Sequence, residues 1–468
     1  MKSVKFILVL FISILCNNLF AQGYRIEVQI DGLKDTTLLL GYHFGDKKYV
    51  QDTAKVNSNG IAVFKKDSTL KKGIYLIILP SKTYYEILVT ENQKFGVKTT
   101  LDDLVGKLSF TNSTENTVFA DYQRYMIEQQ KTMKEYQDKY KAISSKPDSV
   151  KIMQEKIKDL DKKVNLYWDN IIKQYPNSMI ALIVRSMKNV EIPEFTVPKD
   201  AKNADSLKWV MSYRFNKTHF FDNIPITDPR LLRTPILEGR LNTFFDRVLI
   251  PVPDSLTKEA INIIEISKAN KEVFQYVLNF MLNKFQTSTI MGLDAVFVSL
   301  SEKYYLSGQV PSADKKFLEK LKERVDALKP NLIGNQCPNL NLPDMGGIKR
   351  SINDINAKIT VVYFWDSSCS HCKKVTPEVK KIYDKFKAKG LEVYAVYTQG
   401  NQPEVVEYIN KNQLNWINVW DPALNSNFRS LFDIYSTPVI YVLDKNKKII
   451  AKRISEESLN QMLTQELK

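Results

Sequence analysis

The chain is poor in the residues that hold metals and in the cysteines that staple small exported folds. It has three histidines and four cysteines in 468 residues. A structural zinc site takes four ligands, commonly a second C-x-x-C or a histidine pair beside the first, and neither is present. No metal and no separate cofactor is expected. Four cysteines are too few for a disulfide scaffold of this length. Past residue 22 no stretch reaches the roughly 18 apolar residues of a spanning helix, so none is expected in the mature chain. Arginine-rich helices and aromatic stacking platforms are also missing. The formal charge of +15 comes from lysines scattered through every segment. That argues against nucleic acid as a partner and fits a basic protein near anionic surfaces. There is no internal repeat and no low-complexity tail.

What is present begins with a targeting segment. Met1-Lys2-Ser3-Val4-Lys5 is basic, Phe6 to Leu15 is apolar, and Leu19-Phe20-Ala21 ends in a small residue. This is the pattern of a signal peptide over residues 1–22, and it implies a periplasmic or cell-envelope location. The alternative is a lipid anchor at Cys16, but Leu15 stands where such an anchor takes a small residue. Removing residues 1–22 costs Lys2 and Lys5 and no acid, which leaves +13. Three cysteines remain: Cys337, Cys369 and Cys372.

The mature chain divides by pattern. Residues 23–115 read as an antiparallel β domain. Tyr24 to Ile30 alternates apolar and polar, and Leu38-Leu39-Leu40, Ile61 to Phe64, Ile74 to Leu79 and Tyr84 to Val89 are further strands between short Gly, Asp and Asn turns. Residues 116–330 are mostly helical. Phe119, Tyr122, Met126, Met133, Tyr136 and Tyr140, then Met153, Ile157, Leu160, Val164, Tyr167 and Ile171, keep a 3-4 spacing on either side of Pro147, which predicts a helical hairpin. Further helices are expected at Glu272–Phe285 and Leu293–Tyr305. Residues 333–468 alternate strands and helices, the mark of an α/β sheet.

The chemistry concentrates in that last region. The apolar run Ile359 to Trp365 predicts a strand buried on both faces. Cys369-Ser370-His371-Cys372 follows, and Lys373 to Lys389 has helical spacing. The two sulfurs therefore sit where a buried strand hands over to a helix N-terminus. Free N–H groups and the positive end of the helix dipole favour a thiolate there. One helical turn brings sulfurs at i and i+3 close enough to bridge.

Phe364-Trp365-Asp366-Ser367-Ser368-Cys369-Ser370-His371-Cys372 resembles the active-site segment of thioredoxin-like proteins. Ser436-Thr437-Pro438-Val439 resembles their cis-proline loop. The segment around Cys337-Pro338 and an insertion at 399–415 look like the exported branch, the TlpA/ResA-like thiol-disulfide oxidoreductases. The resemblance implies a multidomain chain whose residues 333–468 are an α/β thioredoxin-like domain, behind an uncharacterised β domain and helical middle. It implies Cys369 as attacking thiolate and Cys372 as resolving thiol, with their own redox-active disulfide as the only cofactor. Its partners are client proteins with thiols or disulfides and an envelope electron donor or acceptor. His371 and Trp365 are the expected tuning residues. Thr437 and Pro438 are the expected client-binding residues, joined by a cis peptide.

Three departures stand out. Trp is common just before the first cysteine of this branch, where Ser368 stands. A Glu is common three residues after the second, where Val375 stands. The buried Asp of cytosolic thioredoxins falls at Tyr363. Other readings stay open. His371 can be a solvated loop residue and Cys337 a buried core filler. His219 and Asp222, with Asp228 near, form either a ligand site or a structural pair. A peroxidase needs a Thr/Pro-x-x-Cys with an activating Arg, a spacing not seen here. The competing class of function is an envelope binding or scaffold protein that works through residues 23–330, with a secondary redox domain.

Overall fold

The computed structural model describes residues 23–142, 147–198, 202–399, 402–423 and 425–468. The signal segment with Cys16 and part of the insertion at 399–415 lie outside the described residues. The described chain groups into two compact units. One takes residues to 249 together with 265–276, and the other takes 250–264 and 277–468. The helical stretch 116–330 contributes to both.

The first unit opens with β1 (Tyr24–Asp31), β2 (Thr37–Phe44), β3 (Lys47–Lys55), β4 (Ile61–Lys66), β5 (Gly73–Ile78), β6 (Tyr84–Val89), β7 (Lys94–Thr100) and β8 (Ser109–Thr111). They form two four-stranded sheets, ordered β4-β1-β7-β8 and β3-β2-β5-β6. Inward residues of both sheets, among them Ile26, Val28, Leu38, Leu40, Phe64, Ile77, Ile87 and Val97, share one core. Pairing is antiparallel except that β1 and β7 run parallel. The sequence does not announce β3 and β7. In β3 only Ala54 is buried, because it is an edge strand with a polar face. In β7 lysines and a glycine interrupt the apolar alternation of Phe95 and Val97.

Helices follow: α1 (Thr114–Ala142), α2 (Pro147–Gln174), α3 (Met179–Met187), α4 (Ala204–His219), α5 (Ile236–Thr243), α6 (Pro253–Ser267), α7 (Lys271–Gln286), α8 (Asp294–Leu300) and α9 (Lys315–Leu328). The expected hairpin is α1 and α2, where the rings of Tyr125 and Tyr167 stack at 4.0 Å. Proline suits the start of α2 because its missing N–H has no partner in a first turn. The helix expected at 293–305 is α8 continued by a π turn over Ser301–Leu306. The N-terminus of α9 is capped by Asp314, whose carboxylate accepts the N–H of Phe317 at 3.0 Å.

The second unit ends in the α/β sheet. A short hairpin of β9 (Asn341–Pro343) and β10 (Lys349–Ser351) leads to β11 (Ile359–Trp365). Then come α10 (Ser370–Phe386), β12 (Leu391–Tyr397), α11 (Gln402–Lys411), β13 (Ile417–Trp420), α12 (Phe428–Leu431), β14 (Val439–Leu443), β15 (Ile449–Lys452) and α13 (Glu456–Glu466). The sheet order is β13-β12-β11-β14-β15. β11 pairs parallel with β12 and antiparallel with β14. Every residue of β11 is buried, as its continuous apolar run predicts. Its side chains alternate between two cores. Val361, Tyr363 and Trp365 pack with α10 and α13, while Val362 and Phe364 pack with Leu340, Leu342 and Phe428. This is a multidomain chain with N-terminal β-sheets, a helical middle and a C-terminal β/α region of thioredoxin type.

Candidate active site

β11 delivers the chain at Trp365 and α10 takes it up at Ser370, so the connecting loop has four residues to turn. Asp366 organises that turn. Its carboxylate accepts the N–H and the hydroxyl of Ser368, both at 2.8 Å, and its other oxygen accepts Gln399 Nε2 at 2.9 Å. These donors hold its carboxyl below the usual carboxylate range against the opposing effect of burial. Ser367 meets the Tyr397 hydroxyl at 3.1 Å and donates to Glu404 Oε1 at 3.3 Å. The loop is thereby tied to the end of β12 and to α11.

Cys369 stands at the N-cap of α10, and its side chain makes no capping hydrogen bond as a thiol. The N–H of Cys372, with that of His371 behind it, pulls the Cys369 thiol below its ordinary value. What His371 supplies here is its backbone N–H; the residue itself is exposed. Cys372 lies one turn on and is 1 % exposed. Burial pushes its thiol up to about 11. Both cysteines are free thiols. The Thr437–Pro438 peptide is cis, and the Thr437 carbonyl oxygen lies 3.5 Å from Cys369 Sγ. The four residues Cys369, Cys372, Thr437 and Pro438 thus come together from two distant parts of the sequence.

Trp365 is fully buried beneath the loop, with its ring 5.4 Å from those of Tyr397 and Tyr408. Among the described residues its Nε1 has no hydrogen-bond partner. Tyr363 donates to or accepts from Thr376 Oγ1 at 2.8 Å, in full burial. Burial raises the Tyr363 phenol, with the two cysteines as lesser causes. A pair of neutral hydroxyls therefore stands near Cys372. Val375, on α10, is packed in the same core.

Other sequence candidates lie apart from this group. Cys337 packs in the core on the opposite face of the sheet, where burial pushes its thiol up to about 12. In the first unit His219 Nδ1 and Asp222 Oδ2 meet at 2.7 Å at the end of α4. Asp228 is not part of that pair. Its carboxylate accepts the N–H of Arg230 at 3.0 Å and pairs with the same arginine's guanidinium. Sequence reasoning missed Asp366, Gln399 and Thr376. An acid directly between a buried strand and a C-x-x-C was a usable signal for the first; Gln399 comes from another strand end and gave none.

Residues 333–452 match the model of the AhpC/TSA family, and residues 24–119 match a domain of unknown function, DUF4369. The thiol-disulfide oxidoreductase ResA of Bacillus cereus is 26% identical over 133 residues, which are 28% of this chain and 74% of that protein. A crystal structure of a domain of a possible thiol-disulfide isomerase from Cytophaga hutchinsonii is 43% identical, with a TM-score of 0.28. The match covers 29% of this chain and 92% of that one. The thioredoxin domain of a thiol-disulfide oxidoreductase from Bacteroides vulgatus is 28% identical, covering 29% and 98%, with a TM-score of 0.28.

Proposed function

We propose, from a C-terminal region that is a thioredoxin-like domain of the AhpC/TSA family with ResA-like relatives, that this thiol-disulfide oxidoreductase works in the cell envelope through Cys369 and Cys372. The observation that carries the reading is the asymmetry of the two thiols. One is half-exposed at a helix N-terminus beside Thr437, and the other is buried one turn later.

In the reducing direction the Cys369 thiolate attacks a sulfur of a client disulfide. A mixed disulfide forms, the client S–S bond breaks, and the leaving client thiolate takes a proton. Cys372 then loses its proton and attacks Cys369 Sγ. The mixed disulfide breaks and the second client sulfur leaves as a thiol. Two electrons have passed from the dithiol to the client, and the pair is left as a disulfide. A second envelope dithiol restores it. Run backwards, the same steps oxidise a client dithiol. Pro438 has no N–H, so an extended client segment can lie along the neighbouring backbone.

Replacing Cys372 by Ser tests the reading in envelope extracts. The expected result is a set of proteins trapped on Cys369 that a reductant releases, and none in the Cys369→Ser variant. Equal capture by both variants sinks the reading. The reduction potential then gives the direction. About −270 mV marks a reductase, and about −120 to −180 mV an oxidant or isomerase.

A further inference from the structure

Helix α9 precedes the family-matched residues, yet it holds the base of the cis-proline loop. Asp433 lies five positions ahead of Pro438. It is buried, with 2 % of its side chain exposed, and has a φ of 55°, in the left-handed region. Two arginines take its two carboxylate oxygens. Arg324, from α9, donates to Oδ1 at 2.5 Å, and Arg453, just past β15, donates to Oδ2 at 2.6 Å. Arg453 also donates through its backbone N–H to the carbonyl of Ile440 at 2.7 Å, on the far side of Pro438. A second tie runs beside the first. Asn331 Nδ2 donates to Ala327 O in α9 at 2.9 Å and to Leu431 O at 2.8 Å. A buried carboxylate with two fixed guanidinium partners leaves residue 433 little freedom, because losing either partner strands charge out of water.

The short segment from Asp433 to Pro438 carries one large exposed side chain. Tyr435 is 77 % exposed, and the Arg324 guanidinium sits 5.8 Å from its ring. Two residues later the Thr437 carbonyl touches Cys369 Sγ. One arginine from outside the redox domain therefore contacts both the anchor of this loop and its exposed aromatic.

We propose that Arg324 is a positioning residue for the client-binding loop, and that Tyr435, which it holds, contacts an extended segment of the disulfide-bearing client. The proposal rests on the thiol-disulfide reading above. A protein client must lie across Thr437 and Pro438 to present its sulfur, so it depends on where that loop stands. A small disulfide reaches Cys369 without using the loop's outer residues. An exposed aromatic ring next to the reacting atoms is suited to such a contact, since it adds apolar area with little entropy to lose.

The test compares two probes on the full chain: insulin as a protein disulfide, turned over with dithiothreitol to restore the dithiol, and dithiobis-nitrobenzoate as a small one, in single turnovers of the pre-reduced chain. Arg324→Ala and Tyr435→Ala are each expected to lower kcat/KM for insulin roughly tenfold, mostly through KM, with the small-disulfide rate changed less than about twofold. Arg324→Lys recovers part of the loss, as it keeps the charge but not the planar fork. Tyr435 is exposed and its replacement leaves the fold intact, so it decides the matter if Arg324→Ala unfolds. Wild-type insulin rates in both variants overturn the proposal while leaving the redox reading in place. So does an equal slowing of both probes. A wild-type chain that reduces neither probe removes the redox reading, and the proposal with it.

Discussion

Raising the pH separates the two thiols, because their environments push them in opposite directions. Cys369 is pulled down by helix N–H groups, so its attack reaches its full rate at a lower pH than that of an ordinary thiol. Cys372 is pushed from 9.0 to about 11, with burial as the first cause. That displacement is worth about 3 kcal/mol against the thiolate. At about pH 7 the thiolate is roughly one part in ten thousand, against one in a hundred for an unperturbed thiol. A more basic thiolate is also a better nucleophile, which recovers about tenfold of that hundredfold loss. The resolving step should therefore run about tenfold slower near neutral pH than an unburied thiol in the same geometry, and gain about tenfold for each pH unit. Dithiobis-nitrobenzoate reports both steps. Its first coloured anion leaves when Cys369 forms the mixed disulfide, and its second when Cys372 displaces it. The first phase is expected to level off at a lower pH than the second, which climbs steadily from about pH 7 to 9. The mixed disulfide removes the charge of Cys369 but not the burial, so the main cause persists in the intermediate. A second phase that levels off below about pH 9 would refute the argument.

Three further outcomes follow from the same geometry. Val375→Glu places a carboxylate one turn from Cys372 and is expected to speed the second phase near neutral pH and flatten its pH dependence, at a stability cost of about 2–4 kcal/mol for burying the acid; stopped-flow traces and urea titrations check both halves. Asp366→Ala leaves the N–H of Ser368 and the Gln399 amide without their acceptor, which should cost about 1–3 kcal/mol and slow the first phase, whereas Asp366→Asn keeps an acceptor and should lose less than about 1 kcal/mol; chemical denaturation ranks the two. Cys337→Ala, on the other face of the sheet, should leave both phases unchanged and cost about 1 kcal/mol for the space it empties; altered release stoichiometry would show that Cys337 takes part.

The sequence was most readable where one physical demand acts alone. β11 must be buried on both faces, so it is apolar throughout, and its run marks the centre of the sheet. The paired cysteines and Thr437-Pro438 are short local signals that survive without any knowledge of the fold. β3 and β7 were hidden because an edge strand and a lysine-rich strand satisfy their backbones while carrying polar side chains. The parallel pairing of β1 with β7 is a long-range choice that no local pattern encodes. Asp366 was passed over for a related reason. Its meaning depends on Gln399, which sits 33 positions away in the chain.

The same distinction bears on how the site obtains its reactivity. The absence of an acid at Tyr363 and Val375 invites the view that the pair is poorly activated. The structure argues otherwise for one thiol and agrees for the other. Cys369 needs no charged neighbour, because its place at the start of a 17-residue helix supplies N–H groups that any sequence at that position would supply. At Cys372 burial outweighs the smaller help from Thr437 and the Asp366 backbone, and Tyr363 and Thr376 beside it carry no charge. On the proposed function, backbone geometry therefore favours the thiolate of Cys369, and burial holds Cys372 back. A mixed disulfide that outlives its formation is the consequence. In the proposed reaction it would give a client along Thr437 and Pro438 time either to be released reduced or to exchange its remaining sulfurs, and the second-phase rate would decide between the two.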